Sequence, residues 1–155
     1  LSTDHIVALT QPQFEAFTPE QVTWFTSDQF PAIESRDIAA MTALQMAALT
    51  TDQLAVMSTE QIQAIETRDL VSMSTEQIAA MDTDQIASLT GSQIGALFTN
   101  QVAAMTTDQI GAIETADLIG MSNTQLQALT TDQVEVLGSD QLRALTNTQV
   151  GGLLT

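Results

Sequence analysis

Residues 49–64 read LTTDQLAVMSTEQIQA, two eight-residue phrases with apolar, hydroxyl and amide residues at matching positions. Cutting outward from Leu49 in eights keeps this register along the whole sequence. The 155 residues divide into 19 octads and three further residues, with no insertion or deletion. The consensus is L-T-T-D-Q-I-x-A. Columns one and six are apolar in every octad, column five is Gln in 15 of 19, column two is Ser or Thr in 13, and column eight is Ala in 12. An irregular globular domain does not keep such a register, so residues 1–155 form a single repeat array.

Columns two to five spell S/T-x-x-Q, a capping box. The hydroxyl accepts the N3 amide, and the Gln side chain returns to the N-cap amide. An acid in column four falls in the first helical turn, where the helix dipole favours it. Pro19 follows Thr18 at the first helical position, where a missing N–H costs nothing. The octad therefore predicts a helix of about two turns, from column three to the next column one. Columns six and one then share a face, and Ala in column eight allows close approach. One continuous helix is excluded, because eight residues at 100° each turn the apolar stripe by ~80° per repeat. The predicted fold is an all-α solenoid of very short capped helices, of either hand, with a β-solenoid as the competing architecture. Such helices are unstable alone and must stack on neighbours. The Glu-x-x-Asp octads, at 33–40, 65–72 and 113–120, are all odd-numbered, and five of six column-one methionines are even-numbered. That parity points to a 16-residue helical hairpin as the structural unit.

Charge narrows the functions. Nineteen Asp and Glu stand against three arginines and no lysine, for a net charge of −16. Nucleic acid and anionic membranes are poor partners for such a surface. The chain has no cysteine, so thiol chemistry and Cys-ligated metals are excluded. No apolar run approaches the ~18 residues of a membrane span.

Candidate chemistry is sparse. The single histidine, His5, occupies the Gln column of the first octad and reads as a substituted cap residue. No Ser-His-acid triad can be assembled along the array. The acids recur singly, without the converging oxygens that calcium needs. No catalytic residue, metal ligand or cofactor is expected. In the Glu-x-x-Asp octads, Ser35, Thr67 and Thr115 stand one position late and are expected to take over as N-caps, with Arg36 and Arg68 between two carboxylates. Residues 9–32 diverge: all three prolines and the aromatics Phe14, Phe17, Trp24, Phe25 and Phe30 lie there. The stretch reads as a distorted boundary of the array or as a docking patch. Trp24, Phe17 and Phe25, with the isolated Phe98, are the candidate partner-docking residues.

LTTDQLAV (49–56), MTTDQIGA (105–112) and LTTDQVEV (129–136) resemble the octapeptide arrays of large acidic, lysine-poor bacterial secreted and cell-surface proteins, some of them adhesin-like. The resemblance covers the whole chain. It implies an extracellular structural part, a spacer, stalk or self-assembling filament segment. Its partners would be neighbouring repeats or other copies end to end, with a protein- or glycan-binding module as the alternative. The array starts in phase and stops three residues into a twentieth octad, which predicts end faces open to further stacking.

Overall fold

The computed structural model describes residues 1–153 as 18 short α-helices and one 3-10 turn, one element per octad. No strand occurs among the described residues, so the β-solenoid alternative falls. Helices start at column three as the caps predict. In Thr59–Ala64, the Ser58 hydroxyl accepts the Gln61 N–H at 3.2 Å while Gln61 Oε1 accepts the Ser58 N–H at 2.9 Å. The helices end earlier than expected, mostly after four to six residues. Column one commonly leaves the helix for extended backbone, as at Ile65 (φ −63°, ψ 123°) and Leu97 (φ −55°, ψ 142°). The column-two cap is extended as well, as at Ser58 (φ −72°, ψ 161°). These extended residues redirect the chain at each octad. Pro31 cannot donate to a helical ladder, and its octad holds only the 3-10 turn Phe30–Ala32.

The hairpin expectation is corrected. A 16-residue hairpin would pack sequence-adjacent octads side by side. The principal pairings join octads three apart: Pro19–Val22 with Ala43–Ala48, Thr83–Ala87 with Thr107–Ala112, and Asn123–Gln127 with Asn147–Leu153. The chain thus winds as a superhelix with three to four octads per turn.

Columns one and six fill the axis of this superhelix. Leu54, Ile62, Ile78 and Ile110 of column six and Leu49, Met57, Ile65 and Ile113 of column one lie in one continuous core. Burial fails only at the two ends. Leu1 of column one is exposed in the first turn, and Leu142 and Val150 of column six are exposed in the last.

Candidate functional surfaces

Column five does more than cap its own helix. From Gln45 to Gln149, each column-five Gln is buried and reaches 28 to 31 residues back along the chain. Gln93 shows the geometry. Its Oε1 accepts the Thr90 N–H at 2.9 Å, and its Nε2 donates to the carbonyls of Ile62 at 3.1 Å and Ile65 at 2.9 Å. Those carbonyls end the helix Thr59–Ala64 one turn below. One side chain therefore closes the N-terminus of its own helix and the C-terminus of another, meeting two sets of orphan backbone groups at once. Gln61 does the same to Phe30 and Ile33, and Gln85 to Leu54 and Met57. The capping box was readable from the octad. The second role was not, because it acts between turns.

Three octads carry Asp in place of the clamping Gln. Asp37 and Asp69 are buried in column five, and each keeps an Oδ1 with no hydrogen-bond partner. Loss of water raises both carboxyls above the ordinary Asp value, although the neighbouring arginines pull the other way. Arg36 lies 2.7 Å from Glu34 and 3.8 Å from Asp37, and Arg68 lies 2.8 Å from Glu66 and 3.4 Å from Asp69. The arginines therefore stand between two carboxylates as expected. The late N-caps do not form. Helices begin at Ser35, Thr67 and Thr115, with Glu34, Glu66 and Glu114 as N-caps that accept no side-chain bond. Extended backbone at column two fixes where the helix starts, whichever side chain stands there.

These octads also bear closely on the one three earlier. Ser72 Oγ donates to the Ala43 carbonyl at 2.9 Å. A Cβ on Gly91 would lie 3.2 Å from Asp117 Oδ1, and one on Gly120 would lie 2.5 Å from the Gly91 carbonyl. Ala43 and Gly91 replace the usual column-three hydroxyl three octads before Asp69 and Asp117. At Gly91 the small column-three residue leaves room for Asp117 of the octad three later.

The candidate docking residues divide. Phe14, Phe17 and Phe25 form one aromatic cluster, with Phe17 and Phe25 edge to face at 5.2 Å and Phe14 stacked on Phe25 at 6.1 Å. Phe25 is buried and Phe17 half-buried, so both serve the core of the first turn. Trp24 is 66 % exposed beside them. With Leu1, Phe17, Gln21, Phe25, Thr26 and Gln29 it lines a cavity of about 250 Å³ on the N-terminal face. Phe98 is 57 % exposed, far along the chain in octad 13. It offers no side-chain acceptor, yet its N–H still donates to Gln101 Oε1 at 2.8 Å. His5 is exposed, and its Nδ1 accepts the Ser2 N–H at 3.0 Å as a Gln would.

Among the described residues, no group of three or more His, Cys, Asp or Glu is placed to hold a metal ion. No helix among them is long and apolar enough to cross a membrane. The architecture is that of a helical repeat protein whose unit is the octad. The model of the ALTTAQ repeat matches three stretches, residues 30–64, 62–99 and 110–147, and the chain belongs to that family. No curated protein matches the chain. Each family match is longer than the 28- to 31-residue reach of a clamping Gln. The unmatched first 29 residues include most of the stretch with the prolines and the aromatic cluster.

Proposed function

We propose that the chain is a non-enzymatic structural repeat protein, a stalk or spacer segment of an extracellular, cell-surface bacterial protein. The observation that carries this reading is the column-five clamp. It fastens each turn of the superhelix to the one below without metal, disulfide or ligand. Packed helices sit roughly 9 Å apart, so each turn of about 28 residues adds only that much length. Extended polyproline, by contrast, advances 3.1 Å per residue. The gain from this architecture is stiffness and thickness more than reach. The acids on the outer surface keep neighbouring stalks soluble and apart. Two measurements test the reading. The isolated chain should be helical by circular dichroism and resistant to limited proteolysis with no added partner. Brief protease treatment of intact producing cells should remove the array from their surface. An array protected inside intact cells, or one that orders only with a ligand, would overturn it.

Exposed Trp24 beside the N-terminal cavity supports a second reading, an adhesin-like module that docks a protein or glycan there. If Trp24→Ala combined with Phe98→Ala left such capture unchanged, that reading would be lost.

A further inference from the structure

We infer that one flank of the superhelix is a self-association surface, which pairs with the same flank of a second copy of this chain running antiparallel to it. The inference goes beyond the stalk reading and adds to it a partner and an orientation.

Stacking of octads three apart gives the superhelix three flanks, along which residues of one column recur every 24 positions. One flank holds the helices Ala43–Ala48, Thr67–Leu70, Gly91–Ala96 and Thr115–Leu118, each in contact with the next. A second holds Thr59–Ala64, Thr83–Ala87, Thr107–Ala112 and Thr131–Glu135. Columns four and seven lie three apart in each helix and share its outer face. On the second flank, column four reads Glu60, Asp84, Asp108 and Asp132, an unbroken file of acids. The third flank carries Asp52 and Glu76 before Asn100 and Thr124. On the first, column four reads Leu44, Arg68, Ser92 and Ala116, with no acid at all. Leu44 is 72 % exposed there, and Ile119 of column seven is 48 % exposed. Neither column supplies the core or the capping box, so the repeat itself asks for no large apolar side chain at these positions.

Charge and shape both select a second copy as the occupant. Two chains of charge −16 repel, and along this flank they approach without setting column-four acids against each other. The outer residues also match their own reversal. In an antiparallel pair, a two-fold axis passes between octads 65–72 and 89–96, and each residue faces the same column of the reversed octad. Leu44 then faces Ala116, Ile119 faces Ala47, Arg68 faces Ser92, and Val71 faces Gly95. Every large side chain meets a small one. In a parallel pair, column four faces column seven of the same octad. That would set Arg68 on Val71 and leave Ser92 opposite Gly95. The acids at the edge of the strip, Glu66 and Glu114, face Thr90 and Thr42 in the antiparallel pair. Beyond the strip Glu20 comes opposite Asp140, which Arg143 holds at 3.2 Å. Such an isologous contact closes at the dimer. The four stacked helices offer roughly 36 Å by 10 Å. That is small for a specific interface, so the pairing is weak.

Sedimentation velocity on the 155-residue chain tests this, over increasing concentration in low salt and in about 0.5 M salt, where the Debye length is a few ångström. Leu44→Glu/Ile119→Glu charges the flank at its two exposed apolar residues. Ala55→Glu/Gln63→Glu adds the same charge at exposed column-seven positions of the other two flanks. The chain has no cysteine, so orientation is read by oxidising Leu44→Cys alone, and Leu44→Cys mixed with Ala116→Cys. We expect a concentration-dependent dimer, strengthened by salt, from the wild type and from the Ala55/Gln63 control. Association of Leu44→Glu/Ile119→Glu should be at least tenfold weaker with unchanged circular dichroism. Disulfide-linked dimers should form in the mixture and not from Leu44→Cys alone. A wild type that stays monomeric in high salt, or a dimer that persists in Leu44→Glu/Ile119→Glu, overturns the inference, while a folded monomer leaves the stalk reading standing. Disulfide-linked dimers from Leu44→Cys alone overturn the antiparallel orientation. A wild type without helical signal overturns both readings.

Discussion

A buried glutamine in column five satisfies three backbone groups in two different turns, and its value depends on whether both turns are present. Gln93 Nε2 reaches two carbonyls of the turn below, whereas Gln13 and Gln21 hold their own N-caps through Oε1. Replacing Gln with Glu keeps the acceptor for the N-cap and removes the donor. The carboxylate then faces two carbonyl oxygens in a buried place. Gln93→Glu should therefore destabilise the fold by about 3 kcal/mol, two hydrogen bonds and an unpaired buried charge. Gln13→Glu, measured in the monomer by the same urea titration, should change stability by less than about 0.5 kcal/mol. Equal losses at both sites would show that the capping box, and not the clamp between turns, is what the Gln supplies. Asp69 offers the converse case. Its carboxyl titrates above the ordinary value because burial disfavours the ion. Its neutral form is thus the one the fold prefers. That preference contributes fully below the unfolded value near 3.8 and is lost as pH rises through the folded value. Asp69→Asn should accordingly raise stability at pH 7, by an amount on the order of 1 kcal/mol, with the advantage vanishing as the pH falls below about 4. An Asn variant no more stable than wild type at pH 7 would show that the Arg68 contact to Asp69 Oδ2 offsets the loss of water around the carboxylate.

At the scale of the element, each helix is too short to stand alone, and close approach decides which substitutions it tolerates. The helices Gly91–Ala96 and Thr115–Leu118 are in contact, and a Cβ on Gly95 would lie 2.6 Å from the Gly120 carbonyl. Gly95→Ala should cost 1–3 kcal/mol, the usual range for overpacking. Gly111 sits inside the helix Thr107–Ala112 with nothing within 4 Å of an added Cβ. Gly111→Ala should therefore stabilise by about 0.5–1 kcal/mol, the helix preference of Ala over Gly. Thermal unfolding of the two variants checks both signs. The contrast also marks what the sequence made legible. The octad, the caps, the helix starts and the apolar columns are local and could be read directly. Helix ends were placed a residue or more too late, because column one is helical by propensity but is held extended by the winding. Odd-even parity in a few columns suggested a two-octad hairpin. Residues that pack together are in fact 24 to 31 positions apart, as with Ser72 on Ala43 and Gln93 on Ile62. Nothing within one octad encodes that distance. Of the candidate docking residues, Trp24 and Phe98 are exposed as their columns predict, since neither belongs to column one or six. Phe25 was equally legible as core, because it occupies column one.

The whole molecule combines a core that is uniform along its axis with a surface of one dominant sign. Its accessible surface of 7543 Å² is close to the ~7,600 Å² expected for a compact monomer of this mass. The superhelix is therefore tightly wound, and its acids are held closer together than in the unfolded chain. Three arginines answer 19 acids. Two of them, Arg36 and Arg68, are already engaged in pairs of carboxylates, and Arg143 lies 3.2 Å from Asp140. Those ion pairs are exposed on the arginine side and contribute little. Repulsion among the remaining acids is the larger electrostatic effect, and it acts against the folded state. Salt weakens both, along with the attraction of column-four acids to helix N-termini. Since one repulsive set spans the molecule and the favourable pairs are few and local, the balance of screening should favour folding. The midpoint of thermal unfolding should rise between about 10 mM and 150 mM sodium chloride, as the Debye length falls from about 30 Å to 8 Å. The rise should be the same at every dilution of the protein at which it is monomeric. A midpoint that falls with salt at every dilution would mean that the first-turn acids and the arginine pairs outweigh the field of the whole surface. Column four would then be a stabilising element of each octad, and not chiefly the source of a solubilising charge.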